Sequence, residues 1–138
     1  SIDLLCDRYR SMGVDKIVGI DARGLIFGAP LAYNLHLPFV PVRKKGKLPF
    51  KTVGHSYALE YGEDTVEIHE DAVQKGERVV IVDDLIATGG TIEAAIKLVE
   101  KLGGEVVECA FVIDLPDLHG KDKIKGYKVF ALVEFEGE

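Results

Sequence analysis

Apolar positions along the chain recur with two periods. Leu4, Leu5, Arg8, Tyr9 and Met12 fall at helical spacing and stop at Gly13, which predicts an amphipathic helix closed by a glycine. KIVGID at 16–21 is a short apolar run of the kind that forms a buried strand. Residues 25–35 read as a helix, 39–43 as a short strand, and the Lys/Gly/Pro-rich residues 44–54 as a loop. A hairpin is expected next: 56–61 and 65–69 flank Gly62, Glu63 and Asp64, and TVEIH at 65–69 alternates with the period of a half-exposed ribbon. Gly76 marks a turn. RVVIVD at 78–83 is the most apolar strand, 91–102 a helix ending at Gly103-Gly104, 106–113 another strand and 129–133 the last.

Apolar strands separated by helices predict an α/β fold. A mainly parallel, Rossmann-like sheet is expected, flanked by helices on both faces and carrying a flap hairpin, because strands buried on both sides need helical crossovers. Ligands of such sheets collect at the carboxyl ends of the strands. With 138 residues, 47% hydrophobic and 29% charged, one domain over 1–138 is expected, with a flexible loop and flap at about 44–69. No signal-peptide pattern and no apolar run of membrane-spanning length is present, so a soluble protein with no membrane partner is expected. Cys6 and Cys109 lack CxxC spacing and read as reduced thiols of a cytoplasmic protein. The net charge of -6 argues against a nucleic-acid partner, while leaving room for a local basic cluster that attracts a small anion.

The informative motif is VVIVDDLIATGGT at 79–91. A buried strand is expected to end in Asp83 and Asp84, and a small-residue loop with two hydroxyls leads into a helix. Gly89 and Gly90 let the backbone approach phosphate oxygens, and the Thr88 and Thr91 hydroxyls can donate to them. Ionised carboxylates only accept, so the Asp pair suits vicinal sugar hydroxyls. Taken alone, TGGT also reads as a helix cap behind a turn. A P-loop is excluded, since no GxxxxGK[ST] occurs, and no GxGxxG follows a strand. Arg23 follows a strand at the same sheet end and Gly24 opens a helix, which suits an anion, although a surface arginine would look the same. Arg43, Lys44, Lys45 and Lys47 place four cations in five positions, either a solvated face or an anion trap.

Together with IVGIDARGLIFGAPLA, VPVRKKGKLP and YALEYGEDTVEIHEDAV, in order and spacing across essentially the whole chain, this motif resembles the type I phosphoribosyltransferase family, and within it the members that act on adenine. The resemblance implies that family's fold. It also implies transfer of the 5-phosphoribosyl group from 5-phosphoribosyl-1-pyrophosphate (PRPP) to adenine, giving AMP and pyrophosphate, a purine-salvage step. By the same resemblance Asp83 and Asp84 hold the ribose hydroxyls, and Ala87, Thr88, Gly89, Gly90 and Thr91 the 5-phosphate. Asp21, Ala22 and Arg23 form the pyrophosphate loop. Arg43, Lys44 and Lys47 face pyrophosphate, partly across a dimer interface, so a homodimer is implied. Glu60 would manage a proton on the purine, Tyr61 would close a flap that excludes water from the oxocarbenium-like centre, and Leu115 would pack against the base. Mg2+ would arrive with PRPP rather than in an all-protein cage. His36, His55, His69 and His119 show no metal-ligand spacing; only His55 lies in the flap.

Two other readings remain at this point: a transferase for hypoxanthine, guanine, xanthine or orotate, and a non-catalytic PRPP-binding module. Family members carry a segment before the helix that opens this chain, part of a hood over adenine. The expectation is that sugar-phosphate binding, whose residues all lie within the sequence, is independent of that hood, and that base selectivity and turnover depend on it.

Overall fold

The computed structural model describes residues 2–21, 23–44, 48, 52–59, 62–86, 90–114, 124 and 126–134. Its elements run α1 (Ile2–Tyr9), β1 (Lys16–Ile20), α2 (Arg23–Leu35), β2 (Phe39–Lys44), β3 (Thr52–Leu59), β4 (Gly62–His69), β5 (Arg78–Ile86), α3 (Gly90–Lys101), β6 (Glu105–Asp114) and β7 (Val129–Glu134). The seven strands form one sheet in the order β3-β4-β2-β1-β5-β6-β7. From β2 to β7 every neighbour is parallel. The β3–β4 hairpin adds antiparallel to the β2 edge.

Two-sided burial explains why the central strands read as continuous apolar runs. Along β5, Val79 and Ile81 join the core beneath α3, where Ile92, Ile96 and Val99 pack. Val80 and Val82 point the other way, into a core with Leu5, Cys6 and Tyr9 of α1 and Leu31 and Ala32 of α2. The expected α/β sheet with helices on both faces is the observed one. Burying an aliphatic side chain of this size stabilises by about 1.5–3 kcal/mol, so the two faces hold the helices firmly.

Several boundaries differ from the periodicity reading. β5 continues past Asp83 to Ile86, because Asp83, Leu85 and Ile86 are laddered to Phe111, Ile113 and Asp114; backbone pairing persists where the apolar pattern stops. Thr52 to Gly54, expected in a loop, pair with His69 to Glu67, and Gly62, Glu63 and Asp64, expected in the turn, are strand residues whose register closes at Leu59↔Gly62. Cross-strand polar contacts support this ribbon: Thr52 Oγ1 donates to Glu67 Oε2 at 3.1 Å, and the Ser56 and Thr65 hydroxyls lie 2.8 Å apart. α1 stops at Tyr9, and Leu4 is 61% exposed; Leu5, Cys6 and Tyr9 form the buried stripe instead. α3 begins at Gly90, so Gly90 opens the helix rather than preceding it.

The chain order locates the crevice. β1 crosses through α2 to β2 on one side, and β5 crosses through α3 to β6 on the other. Strand order therefore reverses between β1 and β5, the switch point at which open α/β sheets bind ligands.

Candidate functional site

The carboxyl ends of β1 and β5 are adjacent, with Gly19 level with Val82. Asp21 directly follows β1, its amide donating to Val42 O at 2.8 Å, and Arg23 is the first residue of α2. A Cβ on Gly24 would stand 2.6 Å from Val82 O and 3.5 Å from Asp83 Cα. Only a glycine admits so close an approach, and it brings the first turn of α2 onto the end of β5.

That approach sets Arg23 against the acidic pair: Arg23 Nη1 donates to Asp84 Oδ2 at 3.2 Å. From β2, Arg43 Nε donates to Asp21 Oδ2 at 3.1 Å. The predicted cations and carboxylates thus meet one another across β2, β1, α2 and β5. Asp84's own amide donates to Asp83 Oδ1 at 2.8 Å, folding the two neighbours into a compact pair. Burial pushes the Asp83 carboxyl up to about 7, and the adjacent Asp84 carboxylate pushes in the same direction; the Asp84 amide and Arg23 oppose the rise. A carboxyl poised there changes charge near neutrality.

Gly90 and Thr91 head α3, a twelve-residue helix whose N-terminal amides favour an anion. Lys44 is exposed at the end of β2, where it pairs with Val66 on β4. His55 is half-buried on β3. Of the predicted site residues, Asp21, Arg23, Arg43, Asp83 and Asp84 come together at the switch point, with Gly90 and Thr91 beginning the helix after β5. Ala22, Lys45, Lys47, Glu60, Tyr61, Ala87, Thr88, Gly89 and Leu115 lie outside the described residues.

The sequence reading left two buried acids unassigned. Asp114 ends β6 opposite Ile86 at 1% exposure, and Glu108, midway along β6, is fully buried. Glu108 Oε1 accepts from Arg8 Nε at 2.9 Å and Nη2 at 2.6 Å, tying α1 to the sheet, while the guanidinium lies 4.0 Å from the Phe130 ring centroid. An acid inside the apolar run VVECAFV was the available signal. At the opposite end of the strands a cavity of about 300 Å3 is bordered by Arg78, Glu105, Tyr127 and Lys128. Its arginine is engaged: Arg78 donates to Gly13 O, Met12 O and Glu105 Oε2, so this end clasps loops together.

Residues 2–137 match the phosphoribosyl transferase domain family. Over 138 residues the chain is 75% identical to the adenine phosphoribosyltransferase of Desulfosudis oleivorans, covering 100% of this chain and 80% of that protein. The crystal structure of adenine phosphoribosyltransferase from Thermoanaerobacter pseudethanolicus superposes with a TM-score of 0.94 at 53% identity, covering 97% of this chain and 78% of that one. The Saccharomyces cerevisiae enzyme, solved with an iminoaltritol bisphosphate and adenine, superposes with a TM-score of 0.89 at 44% identity, over 95% of this chain and 76% of that one.

Proposed function

The chain belongs to the phosphoribosyltransferase family, among its adenine phosphoribosyltransferases, and on that premise we propose that it transfers the 5-phosphoribosyl group of PRPP to adenine, forming AMP and releasing pyrophosphate, as in purine salvage. The observation that carries the reading is the Asp83–Asp84 pair at the switch point, faced by Arg23 from α2 and followed by the N-terminus of α3.

In this reading Asp83 and Asp84 accept from the two ribose hydroxyls. Ala87, Thr88, Gly89, Gly90 and Thr91 surround the 5-phosphate. A purine nitrogen attacks the anomeric carbon as its bond to pyrophosphate breaks, and the bonding electrons leave with pyrophosphate. Asp21, Ala22 and Arg23 meet the pyrophosphate, and the cations Arg23, Arg43, Lys44 and Lys47 offset the charge that develops there. Glu60 takes up the purine proton, Tyr61 helps close the flap, and Leu115 packs against the base. Mg2+ supplies charge neutralisation on the leaving group when bound. Among the described residues no group of three or more Asp, Glu, His or Cys side chains gathers to hold a metal, and the carboxylates of Asp83 and Asp84 are hard oxygen donors of the kind that share this ion with phosphate and water.

The assembly read here is a homodimer. Ile26 and Tyr33, 65% and 80% exposed, lie two turns apart on α2, and Leu4 is exposed on the adjoining α1. This apolar stripe fits a second copy, and it shares a helix with Arg23. Cys6 and Cys109 are free thiols buried in the two opposite cores, which suits a reducing cytoplasm. Among the described residues no helix is long and apolar enough to cross a membrane.

Incubation with adenine, PRPP and Mg2+ should yield AMP and pyrophosphate, and adenine should outcompete hypoxanthine, guanine, xanthine and orotate offered side by side. Asp83→Asn combined with Asp84→Asn should abolish PRPP binding in calorimetry while leaving the circular-dichroism spectrum unchanged. Undiminished affinity in that variant refutes the assignment.

A further inference from the structure

We propose that Phe39 is a positioning residue for the transfer: its ring, seated between Gly19 of β1 and Gly28 of α2, sets the slope of the first two turns of α2 and so where Arg23 stands at the switch point. The proposal rests on the reading of the chain as an adenine phosphoribosyltransferase, and it concerns a side chain to which that reading gives no role.

Phe39 begins β2 opposite Ile17, and both face the core shared with α1 and α2. Two residues along β1, on the same face, stands Gly19. The ring leans into the space that a side chain there would take: a Cβ on Gly19 would stand 2.7 Å from Phe39 Cζ and 2.8 Å from Cε1. One on Gly28 would stand 2.6 Å from the same Cε1 and 3.3 Å from Cζ. A single ring edge therefore touches strand and helix at once, and both contacts exist because neither glycine carries a Cβ.

α2 thus meets the sheet at two glycines one turn apart. Gly24 closes on Val82 O of β5 and fixes the start of the helix, while Gly28 rests on the ring. Two contacts along a rod fix its direction as well as its height, so the thickness of the ring at Gly28 decides how α2 slopes away from Gly24. The helix itself resists a change of slope weakly at this end: Pro30 carries no amide hydrogen for Ile26 O and its ring crowds that carbonyl, so the segment ahead of it depends on packing for its direction. Alanine would favour the helix at position 28; the ring explains why glycine stands there instead. Arg23 lies on this segment, next to the Gly24 pivot.

The test compares the wild-type chain with Phe39→Leu, Gly28→Ala and the two combined. Leucine removes Cε1 and Cζ and keeps an atom near Cδ1, which lies 3.5 Å from a Cβ on Gly28, an ordinary contact. Leucine alone thins the spacing and alanine alone thickens it, and each should lower kcat/KM for PRPP about ten- to a hundredfold, as expected when a positioned group moves. Ribose 5-phosphate, which in this reading meets residues 83–91 and not α2, should bind both in calorimetry with wild-type affinity. The combination restores the spacing and should recover most of the lost kcat/KM. Wild-type kcat/KM in Phe39→Leu, an equal loss of kcat/KM and of ribose 5-phosphate affinity, or a double variant no better than the worse single one overturns the proposal. Should leucine at position 39 prevent folding, as judged by circular dichroism, Gly28→Ala probes the same contact from the helix side. A wild-type chain that binds neither PRPP nor ribose 5-phosphate instead removes the transferase reading, and this proposal with it.

Discussion

At the scale of single residues, the surroundings of Asp83 change its chemistry. Its carboxyl is raised to about 7 by burial, with the Asp84 charge adding to the rise. In an unfolded chain an aspartate titrates near 4. Between those values the folded protein holds a proton that the unfolded chain has released, so this residue's contribution to stability is fully present below about pH 4 and is lost as pH rises through about 7. Asp83→Asn removes the dependence. Its thermal midpoint should match that of the wild type near pH 4 and exceed it by several degrees at pH 8; parallel curves across that range would mean Asp83 is not held neutral. A sugar whose hydroxyls donate to the ionised pair should bind more tightly as pH rises through the same window. The type and spacing of these carboxylates were legible in DD ahead of TGGT, but the raised proton affinity was not, because burial is a property of what packs around the strand.

At the scale of elements, the start of α2 is placed by Gly24. Gly24→Ala sets a methyl group 2.6 Å from Val82 O, so the helix start must shift away from β5 and Arg23 with it. Overpacking of this kind costs about 1–3 kcal/mol, and the variant should show a lowered thermal midpoint together with a fall in kcat/KM of about tenfold or more, as expected when positioned groups move. Wild-type kcat/KM in the destabilised variant would show that the approach serves packing alone. On the same face of the sheet, Arg8 from α1 pairs with one oxygen, Oε1, of the buried Glu108. Arg8→Ala leaves that acid without its cation and should destabilise by up to about 3–5 kcal/mol in urea unfolding. Arg8→Ala with Glu108→Ala should recover part of the loss, and simple additivity of the two substitutions would deny the coupling. Helices and strands themselves were legible from periodicity. Their ends were less so: β5 and β3 run beyond their apolar patterns because backbone pairing holds them.

For the whole molecule, the sheet divides two cores and leaves α2 with one apolar side outward. If a second copy covers that side, Ile26→Asp with Tyr33→Asp should convert a dimer into a monomer in sedimentation velocity, with far-ultraviolet circular dichroism retained. A wild-type chain that sediments as a monomer at micromolar concentration would dismiss the interface. The sequence by itself determined the alternation of strands and helices, the two-sided burial of the central strands and the side-chain types that stand at the strand ends, because periodicity, glycine placement and side-chain type are local properties of the chain. Tertiary structure decided the rest. Arg23 reaches Asp84 across 61 positions and Arg43 reaches Asp21 across 22. Such pairings depend on strand order, on register and on how closely a helix can approach a sheet, and no local pattern encodes the distance between residues that only folding brings together.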